Sequence, residues 1–220
     1  MNEELNLNLK ILAINSSTKI TGIALSSGKK VLSQIKKDFG RKQSSELPSI
    51  CEEFLTQNNL SWQNLNYIAL TNGPGYFTGI RVGASYAAGL AFGLKIKLIP
   101  VSSLELLKYS FMKNNSDYNN LKNILPVIYA GHNYVYAESE FLKPGEYDLN
   151  FIMNHAQKNN LKIISDDPER SGLNCELVNF EAGDLCEIAL NKIDPAVNPM
   201  KLKILYYRVP QGMENFIICK

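Results

Sequence analysis

The segment with the greatest potential for chemistry is a glycine-rich turn that leads straight into a helical pattern. It reads NGPGYFTGIRVG over residues 72–83. Gly73 and Gly75 permit backbone angles that other residues avoid, and free amide groups at a helix N-terminus can bind an anion. Neither GxxxxGK[ST] nor GxGxxG is present, so the spacing alone favours a plain strand-to-helix turn over a phosphate site.

A second candidate lies at the first predicted hairpin, where polar residues follow a buried strand. A strand, a polar turn and a second strand can hold phosphate groups, but divalent metal binding at this place would need an acidic residue. Asn15 stands there, and an uncharged amide binds a divalent cation weakly. A polar turn without catalysis is the preferred interpretation. The candidate anion- or nucleotide-binding residues are Ser16, Ser17, Thr18, Gly73, Gly75 and Thr78.

Other catalytic patterns are missing from the sequence. The two histidines, His132 and His155, form neither HxxxH nor HExxH, and no GxSxG segment supports a serine hydrolase. The four cysteines contain no CxxC pair. We therefore predict no catalytic residue and no metal site.

The helix that follows the turn is rich in small residues. Gly79, Gly83 and Ala87 recur at every fourth position, and Gly89 and Gly93 form another such pair. Each glycine inside a helix costs roughly 1 kcal/mol relative to alanine, so close packing has to offset that cost. Because the small residues are not confined to one face, we expect a partner helix to dock here as well as the chain's own sheet. The predicted partner-binding residues are Ser49, Glu52, Arg81, Gly83, Ser85, Tyr86 and Ala88.

The elements that position these residues follow the order βββαβαβα. Apolar runs predict strands, and 3.6-residue periodicity predicts helices. Thr78 is expected to cap the second helix, Pro48 to lie in the first turn of the first helix, and the Ser102-x-x-Glu105 spacing to form a capping box. The predicted strands cover 9–15, 20–26, 31–36, 67–71 and 96–101, and the helices cover 45–58, 78–94 and the residues after 102.

The second half is expected to form a smaller α/β unit. A polar, asparagine-rich stretch at 113–123 predicts a boundary between subdomains 1–112 and 113–220. Strands are expected near 124–130 and 134–140, and helices near 151–158 and 183–192. The segment 204–208 is typical of strand or coil.

Bulk properties limit the partners. The net charge is +2, and the Lys and Arg clusters are short, which does not favour tight direct binding of nucleic acid. The N-terminus lacks the features of a signal peptide, and no apolar run is long enough to cross a bilayer. We expect a cytoplasmic protein that makes no contact with a membrane.

Four segments together resemble the TsaB (YeaZ) family: ILAINSST (11–18), GPGYFTGIRVG (73–83), AAGLAFGL (87–94) and IPVSSLE (99–105). The resemblance implies an actin-like, ASKHA-type (ribonuclease H-like) α/β fold with two subdomains, each a mixed sheet with flanking helices. It implies a non-catalytic scaffold subunit of the complex that forms threonylcarbamoyladenosine in tRNA. The expected partners are a TsaD-like transferase and a TsaE-like ATPase, with a homodimer in isolation and only weak or indirect contact with tRNA.

The resemblance implies no intrinsic cofactor, although a nucleotide at the partner interface is compatible with it. Departures from the family pattern weaken a catalytic role. Asn15 stands where the family commonly has Asp, Gln43 where it has His, and Tyr129 and Gly131 lie where Asp and Arg often occur. Two alternatives stay open, namely an ATPase or small-molecule kinase of the same fold, and a glycoprotease-like peptidase.

Overall fold

The computed structural model describes residues 8–115 and 123–207, and these form two lobes, each built on a five-stranded sheet. The first sheet has the order β3-β2-β1-β4-β5. Strands β1, β2 and β3 are an antiparallel meander, and β4 and β5 run parallel to β1. Their bounds are Lys10–Asn15, Ile20–Ser27, Lys30–Asp38, Tyr67–Thr71 and Lys97–Val101.

Alternation along β1 decides which helices cover each face of this sheet, because successive side chains point to opposite faces. Leu12 and Ile14 belong to the core beneath helices α1 (Gln43–Gln57) and α2 (Phe77–Leu94). Ile11 and Ala13 belong to the core on the other face. That second core is shared by both lobes and contains α3 (Ser103–Asn114) and α6 (Ala182–Leu190).

The second lobe repeats this plan with its sheet in the order β10-β9-β6-β7-β8. Leu125 and Val127 of β6 pack under helix α4, and Ile124 and Ile128 face the shared core. The layers are therefore α1 and α2, the first sheet, α6 and α3, the second sheet, and α4. The bounds are β6 Ile124–Gly131, β7 Tyr134–Ser139, β8 Leu142–Asp148, α4 Leu149–Lys158, β9 Lys162–Ser165, α5 Pro168–Ser171 and β10 Glu176–Leu177.

After α6 the chain returns to the first lobe. Val197 bridges Leu98 at the edge of β5, and the backbone amide of Leu205 donates to the carbonyl oxygen of Asn72 at 2.8 Å. Between them, a short 3-10 helix (Pro199–Lys201) lies beside α2. The segment after α6 thus covers the flank of α2 that α1 leaves open.

The predicted order βββαβαβα and the α/β class are confirmed. Three details of the helix starts were wrong. Helix α1 begins at Gln43, so Pro48 lies beyond its first turn. Tyr76, not Thr78, precedes α2, and no side chain caps that helix. Ser102 does precede α3, but its side chain makes no capping hydrogen bond, so the predicted capping box is absent.

In the second half, the sequence predicted β6, β7, α4 and α6 and missed β8, β9, β10 and α5. The predicted boundary after residue 112 stays a prediction, because residues 116–122 lie outside the described part of the chain. Arg208, at the end of the unassigned segment 204–208, also lies outside it. Residues 204–207 are neither helix nor strand.

Candidate docking face and interlobe cleft

Helices α1 and α2 pack side by side on the first sheet through a buried thiol and a phenol. Cys51 of α1 hydrogen-bonds the side chain of Tyr86 of α2. Burial raises the pKa of the Cys51 thiol to about 12 and also raises the pKa of Tyr86. Both groups are therefore neutral near pH 7, and the pair serves packing rather than acid–base chemistry.

The inner face of α2 uses two of its glycines for close contact with the chain itself. A Cβ at Gly83 would overlap Ser16 Oγ and lie 2.9 Å from Ser16 Cβ. A Cβ at Gly79 would overlap the carbonyl oxygen of the same serine. These glycines let the helix lie directly on the loop after β1, so Gly83 is buried within the chain, and its predicted contact with a partner stays a prediction.

The outer face of α2 is open. A Cβ at Gly89 or Gly93 would meet no atom within 4 Å, and Ser85 and Phe92 beside them are exposed. Phe92 is 64% exposed, which is high for a large apolar residue. We call Ser85, Gly89, Phe92 and Gly93 the docking face, because they form an apolar, small-residue surface that no described residue covers.

The other predicted partner-binding residues are all at least partly exposed. Ser49, Glu52, Arg81 and Ser85 are exposed, and Tyr86 and Ala88 are half-buried. Sequence reasoning singled out Ala88 and Gly83 and missed Gly89 and Gly93 as the most open positions. The pairing of Gly89 with Gly93 was visible in the sequence, but the sequence does not say which of the small residues face the sheet.

A cleft of about 1050 Å³ opens between the lobes. Parallel strands of both lobes point their carboxyl ends toward it, and this is where α/β sheets commonly bind ligands. The first lobe contributes the loop after β1 and the turn before α2. The second lobe contributes the ends of β6 and β9 with α5. Lining residues from both sides include Asn15, Ser17, Thr18, Gly75, Tyr129, His132, Asp166 and Arg170.

On the first lobe's side of the cleft, Asn15 accepts several hydrogen bonds from neighbouring residues. Its Oδ1 accepts hydrogen bonds from the Ser17 amide at 3.2 Å, Ser17 Oγ at 2.7 Å and Thr71 Oγ1 at 3.0 Å. Thr71 Oγ1 in turn accepts from the backbone amide of Ser16 at 3.2 Å. Three donors already occupy the amide oxygen, so Asn15 ties the loop to β4 and has little capacity left to bind a metal.

Gln43, at the start of α1, also acts within the chain. Its Nε2 donates to Thr21 Oγ1 at 2.7 Å, and the residue is buried at the start of α1. The side chain thus fastens α1 to β2 at the cleft. A glutamine at this position has no titratable group for proton transfer.

The structure brings together only half of the predicted anion-binding residues. Ser17, Thr18 and Gly75 line the cleft, and the Tyr76 amide beside them donates to the Ser17 carbonyl oxygen at 2.7 Å. The other three lie elsewhere: Ser16 is buried under α2, Gly73 packs on the carbonyl of Leu205, and Thr78 is exposed at the start of α2.

Sequence reasoning missed Asp166 in the second lobe's wall. It follows β9, next to the end of β6, and burial raises the pKa of its carboxyl group to about 6. Oδ1 is buried with no hydrogen-bond partner. Nearby, the Arg170 guanidinium lies 4.7 Å from the centre of the Tyr129 ring. The only signal was the pair Asp166-Asp167, which follows the apolar run at 163–164 after one serine, and that run was not recognised as a strand.

The described residues offer no group of side chains suited to binding a metal ion. Within residues 8–115 and 123–207, no three His, Cys, Asp or Glu side chains are grouped to hold an ion. Over the same ranges, no helix combines the length and apolar character that a bilayer crossing requires.

The fold is that of an actin-like, ASKHA-type α/β protein. It has two lobes of mixed sheet, helices packed between and outside them, and a cleft at the strand ends. Two solved structures from Pseudomonas aeruginosa share this fold. One, described as an uncharacterized protein similar to the peptidase YeaZ, has a TM-score of 0.73 at 19% identity and covers 91% of this chain and 100% of its own. The other, YeaZ, has a TM-score of 0.65 at 18% identity and covers 90% and 99%.

A family model described as TsaD, tRNA N6-adenosine threonylcarbamoyltransferase, matches residues 29–159, more than half of the chain. The Haemophilus influenzae tRNA threonylcarbamoyladenosine biosynthesis protein TsaB is 32% identical over 130 residues, which cover 59% of this chain and 52% of the relative. The chain therefore belongs to the family that the TsaD model describes, and the curated relatives that it matches include both TsaB proteins and tRNA N6-adenosine threonylcarbamoyltransferases. It spans about half the length of the curated relatives it matches.

Proposed function

We propose that this chain is a scaffold subunit that binds a TsaD-like threonylcarbamoyltransferase through the docking face on α2. The observation that carries this proposal is the open space above Gly89 and Gly93. Two glycines four residues apart on one exposed helix face cost roughly 2 kcal/mol of helix stability. Nothing in the described chain packs on them, so close approach by a partner helix is what offsets that cost.

The proposal gives the chain no catalytic residue. Asn15 and Gln43 face the cleft at positions where a charged or titratable side chain would serve chemistry, and both are hydrogen-bonded within the chain. This arrangement does not favour the kinase or ATPase alternative. The peptidase alternative has no support from a cluster of metal-binding side chains in residues 8–115 and 123–207.

The proposal also includes the other expected partners. When no transferase is present, two copies can bury their docking faces against each other as a homodimer. A TsaE-like ATPase joins the assembly, with a nucleotide bound near the partner interface. Any anion in this chain's own cleft binds at Ser17, Thr18 and Gly75. The net charge of +2 leaves most contact with tRNA to the other subunits.

The experiment measures binding of the purified chain to the TsaD-like transferase of its own organism. Gly89→Leu places a bulky side chain in the open space above the face and is expected to abolish complex formation. Gly89→Ala adds one methyl group there and tests how tight the fit is. Asn154→Leu is the matched control, because it adds the same side chain at an exposed position of α4.

All variants must show the circular dichroism spectrum of the native chain before binding is compared. Loss of binding in Gly89→Leu but not in Asn154→Leu supports the proposal. If Gly89→Leu binds the transferase as tightly as the native chain does, the docking face is assigned to the wrong surface. If the native chain does not bind the transferase at all, the scaffold role is wrong.

A further inference from the structure

We infer that Arg81 binds a carboxylate side chain of the partner protein and thereby fixes the register of the partner helix on the docking face. This inference rests on the proposed function, since it names the chemistry that the same face recognises. Arg81 is the one charged residue among the eighteen of α2. A single charge on an otherwise apolar and small-residue helix is a strong candidate for the specificity determinant of its surface.

The Arg81 side chain is held in place by two aromatic rings. Its guanidinium carbon lies 3.8 Å from the centre of the Phe77 ring and 5.5 Å from that of Tyr206. Nε donates a hydrogen bond to the Tyr206 hydroxyl at 3.0 Å, and the two rings lie 5.4 Å apart. Because these contacts already restrict the side chain, little further conformational entropy is lost when it binds a partner.

The terminal nitrogens of Arg81 are left for another acceptor. Among the ion pairs of the described residues, none includes Arg81, and its one hydrogen bond there uses Nε. A guanidinium carries five donors in a planar fork, and four of them are on the terminal nitrogens. A carboxylate fits that fork with two parallel hydrogen bonds.

The position of Arg81 brings it under a docked helix. Ser85 and Gly89 follow at one and two turns, so Arg81 lies roughly 12 Å along the helix from Gly89. A helix crossing at Gly89 and running along α2 would cover the guanidinium. Burying this charge without an acceptor is strongly unfavourable, so a partner that fits the face must supply one.

The surroundings favour a protein carboxylate over a phosphate of tRNA. No other cation lies on α2, and the sequence of the adjacent α1 contains three glutamates and no Lys or Arg. A surface for a nucleic acid backbone gathers several Lys and Arg side chains. A single guanidinium held in a fixed orientation matches one carboxylate, and the residues of the docking face add no second cation for a phosphate backbone.

The test compares the affinities of four variants for the TsaD-like transferase by calorimetry. We expect Arg81→Gln to weaken binding by roughly 30-fold, the scale of an arginine hot spot. Arg81→Lys keeps the charge but loses the fork, and an intermediate loss is expected. Lys158→Gln, at the exposed end of α4, removes the same charge from the other lobe and should bind like the native chain. Gly89→Leu reports on the docking face itself.

Charge reversal identifies the partner's group. Arg81→Glu should abolish binding, and one Asp→Arg or Glu→Arg change among the exposed acidic residues of the transferase helices should restore it. If Gly89→Leu loses binding while Arg81→Gln binds like the native chain, the inference is wrong and the docking face stands. If none of the reversed carboxylates restores binding, or if Arg81→Gln weakens only the affinity of the complex for tRNA, the inference is also wrong.

Discussion

Gly83 and Gly89 lie six residues apart in one helix, yet alanine should have opposite effects at the two positions. At Gly83 a Cβ would overlap Ser16 Oγ and come within 2.9 Å of Ser16 Cβ. At Gly89 it would meet nothing within 4 Å. Alanine at either position gains roughly 1 kcal/mol from helix propensity, but at Gly83 overpacking costs roughly 1–3 kcal/mol.

The difference between the two alanine variants isolates the packing cost, because the propensity gain is common to both. We expect Gly89→Ala to raise the free energy of unfolding and Gly83→Ala to lie roughly 1–3 kcal/mol below it. Urea unfolding with a shared slope measures this difference. Ser16→Ala removes the overlapping hydroxyl, which has no hydrogen-bond partner. In that background the cost of Gly83→Ala should shrink.

Equal unfolding free energies for Gly83→Ala and Gly89→Ala would refute this reasoning, since the close approach of α2 to the loop after β1 would then be wrong. An unchanged cost of Gly83→Ala in the Ser16→Ala background would show that Ser16 Oγ is not the atom in the way. Because of the close approach of α2 to this loop, a larger side chain at Gly83, as in Gly83→Leu, would disrupt the packing of α2, so that variant could not report on partner binding.

Three further predictions concern the cleft and the core. Asn15→Ala should lower the free energy of unfolding by roughly 1–3 kcal/mol, because it leaves the buried donors of Ser17 and Thr71 without their acceptor; equal urea midpoints would contradict this. Since folding raises the pKa of Asp166 from 3.8 to about 6, its ionisation costs stability as pH rises through that window. Asp166→Asn should therefore stabilise the chain by up to about 3 kcal/mol at pH 7 and little at pH 3.5, as pH-dependent unfolding would show. Cys51, whose pKa is raised to about 12 by burial, should not react with Ellman's reagent until urea unfolds the chain.

The first lobe was predictable because its elements are long and strongly patterned. Strands β1 and β2 are apolar runs separated by polar turns, and both are buried on two faces. In the second lobe, β8 contains Pro144 and Gly145 and has no clean alternation. It can hold them because it is an edge strand. Strand β10, at the opposite edge, has two residues. Such strands form because they pair with a neighbouring strand, and their own sequences carry no alternating apolar pattern that would predict them.

The sequence predicted the helix that carries the docking face, but it did not show which residues of that helix are exposed. The sequence alone shows that α2 contains more glycine than an ordinary helix. Which glycines face inward depends on the contact of α2 with the loop at Ser16. Ser16 and Gly83 are 67 positions apart in the sequence, so no local pattern encodes this contact. Arg81 was selected correctly as exposed, but its aromatic support by Tyr206 comes from a segment 125 residues away.

The hydrogen bonds at the cleft and the inner glycines of α2 involve the same loop after β1. At the cleft, Asn15 accepts hydrogen bonds from Ser17 and Thr71, and Gln43 donates one to Thr21. These bonds rigidify the strand ends and the start of α1. The same Ser16–Ser17 loop supports the inner glycines of α2. Residues that could have served a reaction therefore brace the helix that carries the docking face. For the scaffold role that we propose, these hydrogen bonds would hold α2 in one position, so that a partner helix meets a rigid surface.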